Sequence, residues 1–145
     1  MSFLYDEYIS EIENCPTEIY NEVNISECFR WVFDDMNNSD NFLPPAIRSR
    51  KFANNASHIM SQKCGDYAPS FHKTFVGSLK HYGTLMVNFS VEMKQKRLGT
   101  HIAIGKIEIL DGKCSNPCKK YTHFDLHIYE GNKLKENFEI LQKIE

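Results

Sequence analysis

Thr122-His123-Phe124-Asp125-Leu126-His127-Ile128-Tyr129-Glu130-Gly131 alternates apolar and polar residues with a period of two. In an extended strand, successive side chains point to opposite faces. Phe124, Leu126 and Ile128 therefore share a face fit for a core. His123, Asp125, His127 and Tyr129 share the other, which carries groups able to move a proton.

Working outward from this strand, two more are read in the second half of the chain. They are Thr84 to Met93, with Leu85, Val87, Phe89, Val91 and Met93 on one face, and His101 to Leu110. Gly99, and later Asp111-Gly112 followed by the Cys114 to Cys118 loop, supply turns, so an antiparallel meander is the simplest pairing. Residues 134 to 144 read as a closing helix, with Leu134, Phe138 and Leu141 on one stripe.

The first half reads as helical. A short helix is expected over residues 2 to 12, capped by Ser2, and a second is capped by Ser26 and runs through Trp31, Val32 and Phe33. A third begins at Pro44-Pro45, uses Ile47, Ala56, Ile59 and Met60 as core contacts, and ends near Lys63. Asp66 is the expected cap of the next, with Pro69 in its first turn and a stripe of Phe71, Phe75, Val76, Leu79 and Tyr82. Helices followed by strands indicate an α+β fold, N-terminal helices packed on a C-terminal antiparallel sheet, in a single domain over residues 1–145.

The 145 residues are 41% hydrophobic and 12% aromatic, enough for one core. A net charge of -2 argues against a broad nucleic-acid surface. The basic run Lys94-Gln95-Lys96-Arg97 is read as a solvated hairpin turn. No apolar stretch approaches the roughly 20 residues of a membrane span, so no membrane insertion is expected. The acidic start, Met1-Ser2-Phe3-Leu4-Tyr5-Asp6-Glu7, is unlike a signal peptide. The expectation is a protein made in the cytoplasm, or exported by a machine that needs no such peptide.

Five cysteines (Cys15, Cys28, Cys64, Cys114 and Cys118) form no pair of CxxC clusters, which disfavours structural zinc. Cys114 and Cys118 either close a small loop disulfide or stay free. Asn-x-Ser triplets at Asn24, Asn37, Asn55 and Asn88 reflect composition. His72-Lys73-Thr74 has no second His-x-Ser/Thr to make a two-histidine phosphoesterase.

Cys64, in Gln62-Lys63-Cys64-Gly65-Asp66-Tyr67, is read as lying ahead of a helix, whose positive end favours a thiolate. The competing reading is a buried structural cysteine, against which stand its polar neighbours Lys63, Gly65 and Asp66. His123 is the first choice for a base and Asp125 for the acid that orients it; His101 is the second choice of base. His127 and Tyr129 share the face and can contact substrate. A metal on His123, Asp125 and His127 ranks low, because residues i and i+4 of a strand lie roughly 13 Å apart.

A cysteine ahead of a helix, a glycine-led strand, and then Thr-His-Phe-Asp-Leu-His-x-Tyr-Glu-Gly resemble the papain-like NlpC/P60 amidases. The likeness is closest to the type VI secretion amidase effectors, which carry Gly-His-Ile-Asp-Leu-Trp, and it covers residues 60 to 132. It implies a papain-like fold, Cys64 as nucleophile, His123 as general base, Asp125 as acid, and hydrolysis of amide bonds in peptidoglycan stem peptides without a cofactor. Thr122 stands where that family has Gly, His127 where it has Trp, and Pro69 interrupts the helix after the cysteine.

Two rival functions fit the same residues. A binding module (an immunity protein, inhibitor or sequestering protein of a microbial conflict locus) would use the polar sheet face as an interface. A metal-dependent hydrolase would use His101, His123 and Asp125. Convergence of Cys64 and a histidine within roughly 4 Å favours the enzyme, and burial of Cys64 favours the binder.

Overall fold

The computed structural model describes residues 2–48, 60–85 and 90–144. Its elements in chain order are α1 (Asp6–Ile9), β1 (Ile25–Val32), α2 (Pro45–Arg48), α3 (Met60–Gly65), β2 (Ser70–His72), α4 (Phe75–Leu85), α5 (Val91–Arg97), β3 (His101–Ile107), β4 (Gly112–Cys114), β5 (His123–Ile128), α6 (Leu134–Asn137) and β6 (Phe138–Lys143). The fold is α+β, built on a six-stranded sheet in the order β4-β5-β2-β1-β3-β6, with every pairing antiparallel.

Strand β5 keeps its expected place and its two faces. Phe124, Leu126 and Ile128 are buried in one cluster with Phe71, Cys28, Ala103, Leu134 and Phe138. The opposite face of the sheet holds a second cluster of Phe29, Trp31, Ile102 and Tyr82, against which Phe75, Leu79 and Leu85 of α4 pack. Thr74 caps α4: its Oγ1 accepts from the Gly77 N–H at 3.0 Å, three residues on. The expected cap was Asp66; the segment between became β2, and Pro69 precedes it.

Several expected elements are corrected. Residues 25–32 form strand β1 rather than a helix. It lies between β2 and β3, both faces of the sheet are covered there, and six of its eight residues are buried, so the apolar positions lose strict alternation and mimic helical spacing. Residues 138–143 form β6, which pairs with β3, instead of continuing a helix from Leu134. The expected strand from Thr84 to Met93 is replaced by the end of α4 and the start of α5, with residues 86–89 outside the described residues. Lys94 to Arg97 belong to α5, not to a hairpin. In the expected helix from Pro45 to Lys63, α2 and α3 are its described parts, while Ala56 and Ile59 lie outside them. At the N-terminus α1 is one turn, without a side-chain cap from Ser2.

The expected meander does not form among the described residues, since β3 pairs with β1 and β6 while β5 pairs with β2 and β4. The N-terminal segment instead straps the β5 end of the sheet. Leu4 N–H donates to the Ile128 carbonyl at 2.8 Å, Glu130 N–H to that of Ser2 at 2.9 Å, and Asn21 and Cys114 exchange two backbone bonds. This strap covers the polar face of β5 at its C-terminal end, which is why Tyr129 and His127 are buried rather than solvated. Among the described residues no helix is long and apolar enough to cross a membrane.

Candidate functional site

Alternation places His123, Asp125 and His127 on the α4 side of β5, and the strand divides into two polar centres there. At its start, the register sets His72 opposite His123 and Ser70 opposite Asp125. Ser70 Oγ donates to Asp125 Oδ1 at 3.1 Å and therefore accepts from His123 Nε2 at 2.8 Å. Asp125 Oδ1 also lies 3.1 Å from that same Nε2. A triad base needs one nitrogen on the nucleophile and the other on the acid. Here serine and carboxylate meet one nitrogen, which must carry the proton, so Ser70 is held and not activated.

Beside this triangle, His72 Nε2 and His81 Nδ1 of α4 are 2.8 Å apart. Their rings pack on Trp31 with centroids 5.0 and 5.3 Å away, and His81 stacks on Tyr121 at 4.9 Å. Burial, reinforced by His81, pushes the fully enclosed His72 down to about 3, so it is neutral. Its Nδ1 has no partner. Because a bare lone pair costs less than a bare N–H, the proton belongs on Nε2, which donates to His81.

At the other end of β5, His127 Nε2 lies 3.5 Å from Cys64 Sγ, and both residues are 2% exposed. Tyr20 sets its ring edge-on to His127 at 4.7 Å, and Phe3 does so at 6.2 Å. Burial lowers His127 to about 4 against the opposing pull of Asp125, leaving a neutral imidazole whose Nε2 can accept a proton. Cys64 is joined to Cys15 of the N-terminal strap by a disulfide, with Cα atoms 5.6 Å apart and a separation of 49 positions in sequence. Closing a loop of that size stabilises the fold by about 4 kcal/mol in the chain-entropy account.

The local setting of Cys64 reverses one expectation. It lies in the last turn of α3 and not ahead of a helix, and the following turn begins with Tyr67 N–H donating to the Cys64 carbonyl at 3.2 Å. The carbonyl end of a helix disfavours a thiolate, so the dipole gives Cys64 no activation. His123, the expected base, turns to Ser70 and Asp125, and the imidazole that meets the sulfur is His127, expected as a substrate contact. Tyr129 is buried against Phe3, 5.0 Å between ring centroids, and burial together with Glu22 raises its phenol.

His101 begins β3, bonded through Nδ1 to Thr100 Oγ1 at 2.8 Å. Three strand spacings, about 14 Å, separate β3 from β5, so His101 shares no ion with His123 and Asp125 and is no alternative base for Cys64. Cys114 and Cys118 are free thiols, as is Cys28. Burial raises Cys28 and Cys114 to about 12, which makes both inert at neutral pH.

Sequence reasoning missed Cys15, Ser70, His72 and His81. Ser70-Phe71-His72 repeats the polar-apolar-polar alternation of His123-Phe124-Asp125, a signal that a three-residue strand makes easy to overlook. Cys15 has no local signal, because its partner is fixed only by the path of the strap. Set against known proteins, the chain matches no family model, no curated protein and no solved structure.

Proposed function

We propose that the protein is a thiol-dependent amide hydrolase held latent by the Cys15–Cys64 disulfide. The observation that carries this reading is the 3.5 Å approach of Cys64 Sγ to the neutral Nε2 of His127. After reduction, His127 accepts the Cys64 proton and the thiolate attacks an amide carbonyl. The imidazolium returns the proton to the leaving amine as the C–N bond breaks, leaving a thioester on Cys64. Water, deprotonated by His127, then hydrolyses the thioester and regenerates the thiol. With the helix end unfavourable, activation falls on the imidazole alone.

The amide substrate, peptidoglycan stem peptides as its first candidate, and the papain-like assignment enter through the resemblance of residues 60 to 132. The roles within it change: His127 replaces His123 as base. Reduced protein should cleave cell-wall peptide fragments, oxidised protein should not, and Cys64→Ala should abolish cleavage. His127→Ala should slow it by about 10²- to 10⁴-fold. Cleavage that survives Cys64→Ala rejects the reading.

The near-complete burial of Cys64 and His127 favours a second reading, a non-enzymatic binding module in which the disulfide is a structural staple. Site-resolved alkylation of the reduced protein separates the two. Cys64 reacting faster than the exposed Cys118, with loss of that advantage in His127→Ala, marks an activated nucleophile. Cys64 staying as inert as Cys28 and Cys114 marks the binder, an immunity, inhibitor or sequestering protein of a microbial conflict system.

A further inference from the structure

We propose that, once the disulfide is reduced, Cys15 Sγ, Cys64 Sγ and His127 Nε2 bind one zinc-class divalent ion. The three ligand atoms come from three separate segments, the N-terminal strap, α3 and β5, and all lie within 4.8 Å of one another. Among the described residues no other group of three His, Cys, Asp or Glu side chains does so.

The geometry is close to that of an occupied site. With metal–sulfur bonds of about 2.3 Å and a metal–nitrogen bond of about 2.0 Å, a tetrahedral ion sets sulfur and nitrogen about 3.5 Å apart. Cys64 Sγ and His127 Nε2 already stand at 3.5 Å. Occupancy requires the two sulfurs to part to about 3.8 Å, the S–S edge of the same tetrahedron, and Cys15 Sγ, which lies within 4.8 Å of the imidazole nitrogen, to settle about 3.5 Å from it.

Donor chemistry selects the metal. Two thiolates and an imidazole suit zinc or cobalt and repel calcium or magnesium, which require oxygen ligands. Two thiolate charges neutralise a divalent ion, so the occupied centre is uncharged in a buried place. Tyr20 packs T-shaped on the His127 ring, with 4.7 Å between centroids, and so helps to hold its plane. Three protein ligands leave a fourth position for water or another small ligand.

Disulfide and metal exclude each other. A dithiol reductant supplies two electrons and two protons to the Cys15–Cys64 bond and is itself oxidised to a disulfide. Metal binding then releases the two thiol protons to water. The same cross-link between strap and helix is thus made by a covalent bond under oxidising conditions and by an ion under reducing ones. This inference does not rest on the hydrolase reading; a metal on Cys64 would occupy the nucleophile and suppress that activity.

The test is a titration of the full-length protein with Co²⁺ under anaerobic conditions, oxidised and reduced, followed by thiolate-to-cobalt charge-transfer absorption. One equivalent should bind the reduced protein, displaceable by Zn²⁺, and none the oxidised protein. Zn²⁺ should protect Cys15 and Cys64, but not Cys118, from alkylation. Loss of a direct ligand in Cys15→Ser or His127→Phe should weaken binding by more than the roughly 10- to 100-fold cost of losing an outer-shell partner. Reduced wild type without a charge-transfer band, or with a band unchanged in both variants, overturns the proposal. If the reduced chain loses structure, recovery of the oxidised circular dichroism on adding one equivalent supports it, and failure to recover overturns it. Hydrolysis by metal-free reduced protein is scored separately and bears only on the hydrolase reading.

Discussion

Arg30 is a cation placed inside the protein, 7% exposed, and its environment explains how it stays there. Its Nε donates to the Asn41 carbonyl at 2.8 Å, Nη1 to Ser70 at 2.6 Å and Nη2 to Leu43 at 3.4 Å, while its guanidinium lies 5.4 Å from the Phe71 ring centroid. Burial, then Arg48, lowers it to about 9, still charged at neutral pH. The guanidinium fork thereby ties β1 to the loop before α2 and to the backbone of Ser70, whose side chain holds His123 and Asp125. Arg30→Met removes three donors, one from a buried carbonyl and two from part-buried ones, and each acceptor left buried and unsatisfied costs about 1–3 kcal/mol. We expect a total loss of about 3 kcal/mol in urea unfolding, with Arg30→Lys recovering only part because an ammonium lacks the fork. A loss below about 0.5 kcal/mol, the range of an ordinary surface substitution, would show that water replaces the fork.

Helix α4 and the turn before β5 position the histidine cluster by close approach. A Cβ on Gly77 would stand 2.2 Å from the Tyr121 carbonyl oxygen and 2.7 Å from Thr122 Oγ1. Tyr121 and Thr122 both have left-handed backbone, with φ of 65° and 54°, a conformation that costs L-residues energy and persists only where the surroundings hold it. Thr122 Oγ1 accepts from Thr74 N–H at 3.1 Å, so the cap of α4 and the turn lock each other. Gly77→Ala is therefore expected to cost about 1–3 kcal/mol by overpacking. It should also displace His81 from its stack on Tyr121, visible as shifted His81 and His123 ring resonances. A variant with wild-type melting temperature and unchanged ring shifts would contradict this account. Strand β6 shows the opposite case, an element whose sequence misleads: Leu134, Phe138 and Leu141 have helical spacing, yet Leu141 is exposed and Phe138 and Ile140 face the core. The edge of β3 offers backbone partners to that segment, and such pairing outweighs a short apolar stripe.

Across the whole molecule, burial of neutral histidines makes stability sensitive to mild acid. His72 is depressed to about 3 and His127 to about 4, and His81 is lowered by burial and by His123. In the unfolded chain these groups protonate near 6.5, so between that pH and their folded values the unfolded state binds more protons. Their contribution is complete above pH 6.5 and falls as pH drops below it, by at most about 1.4 kcal/mol per pH unit for each histidine. Urea unfolding at pH 7.5, 6.0 and 5.0 should show a declining free energy, and a flat profile over that window would contradict the burial of neutral rings. The sequence made legible strand β5, its core face of Phe124, Leu126 and Ile128, and the α+β class, because alternation is a local property; the same pattern over Thr84 to Met93 nonetheless yielded to α4 and α5 at its two ends. The sequence also singled out His123, Asp125, His127 and Cys64 by residue type. Only packing set His127 rather than His123 against Cys64 and closed Cys15 over both. Those relations join segments far apart in the chain, and the packing of the strap and the order of strands fix them, neither of which leaves a periodic trace in the sequence.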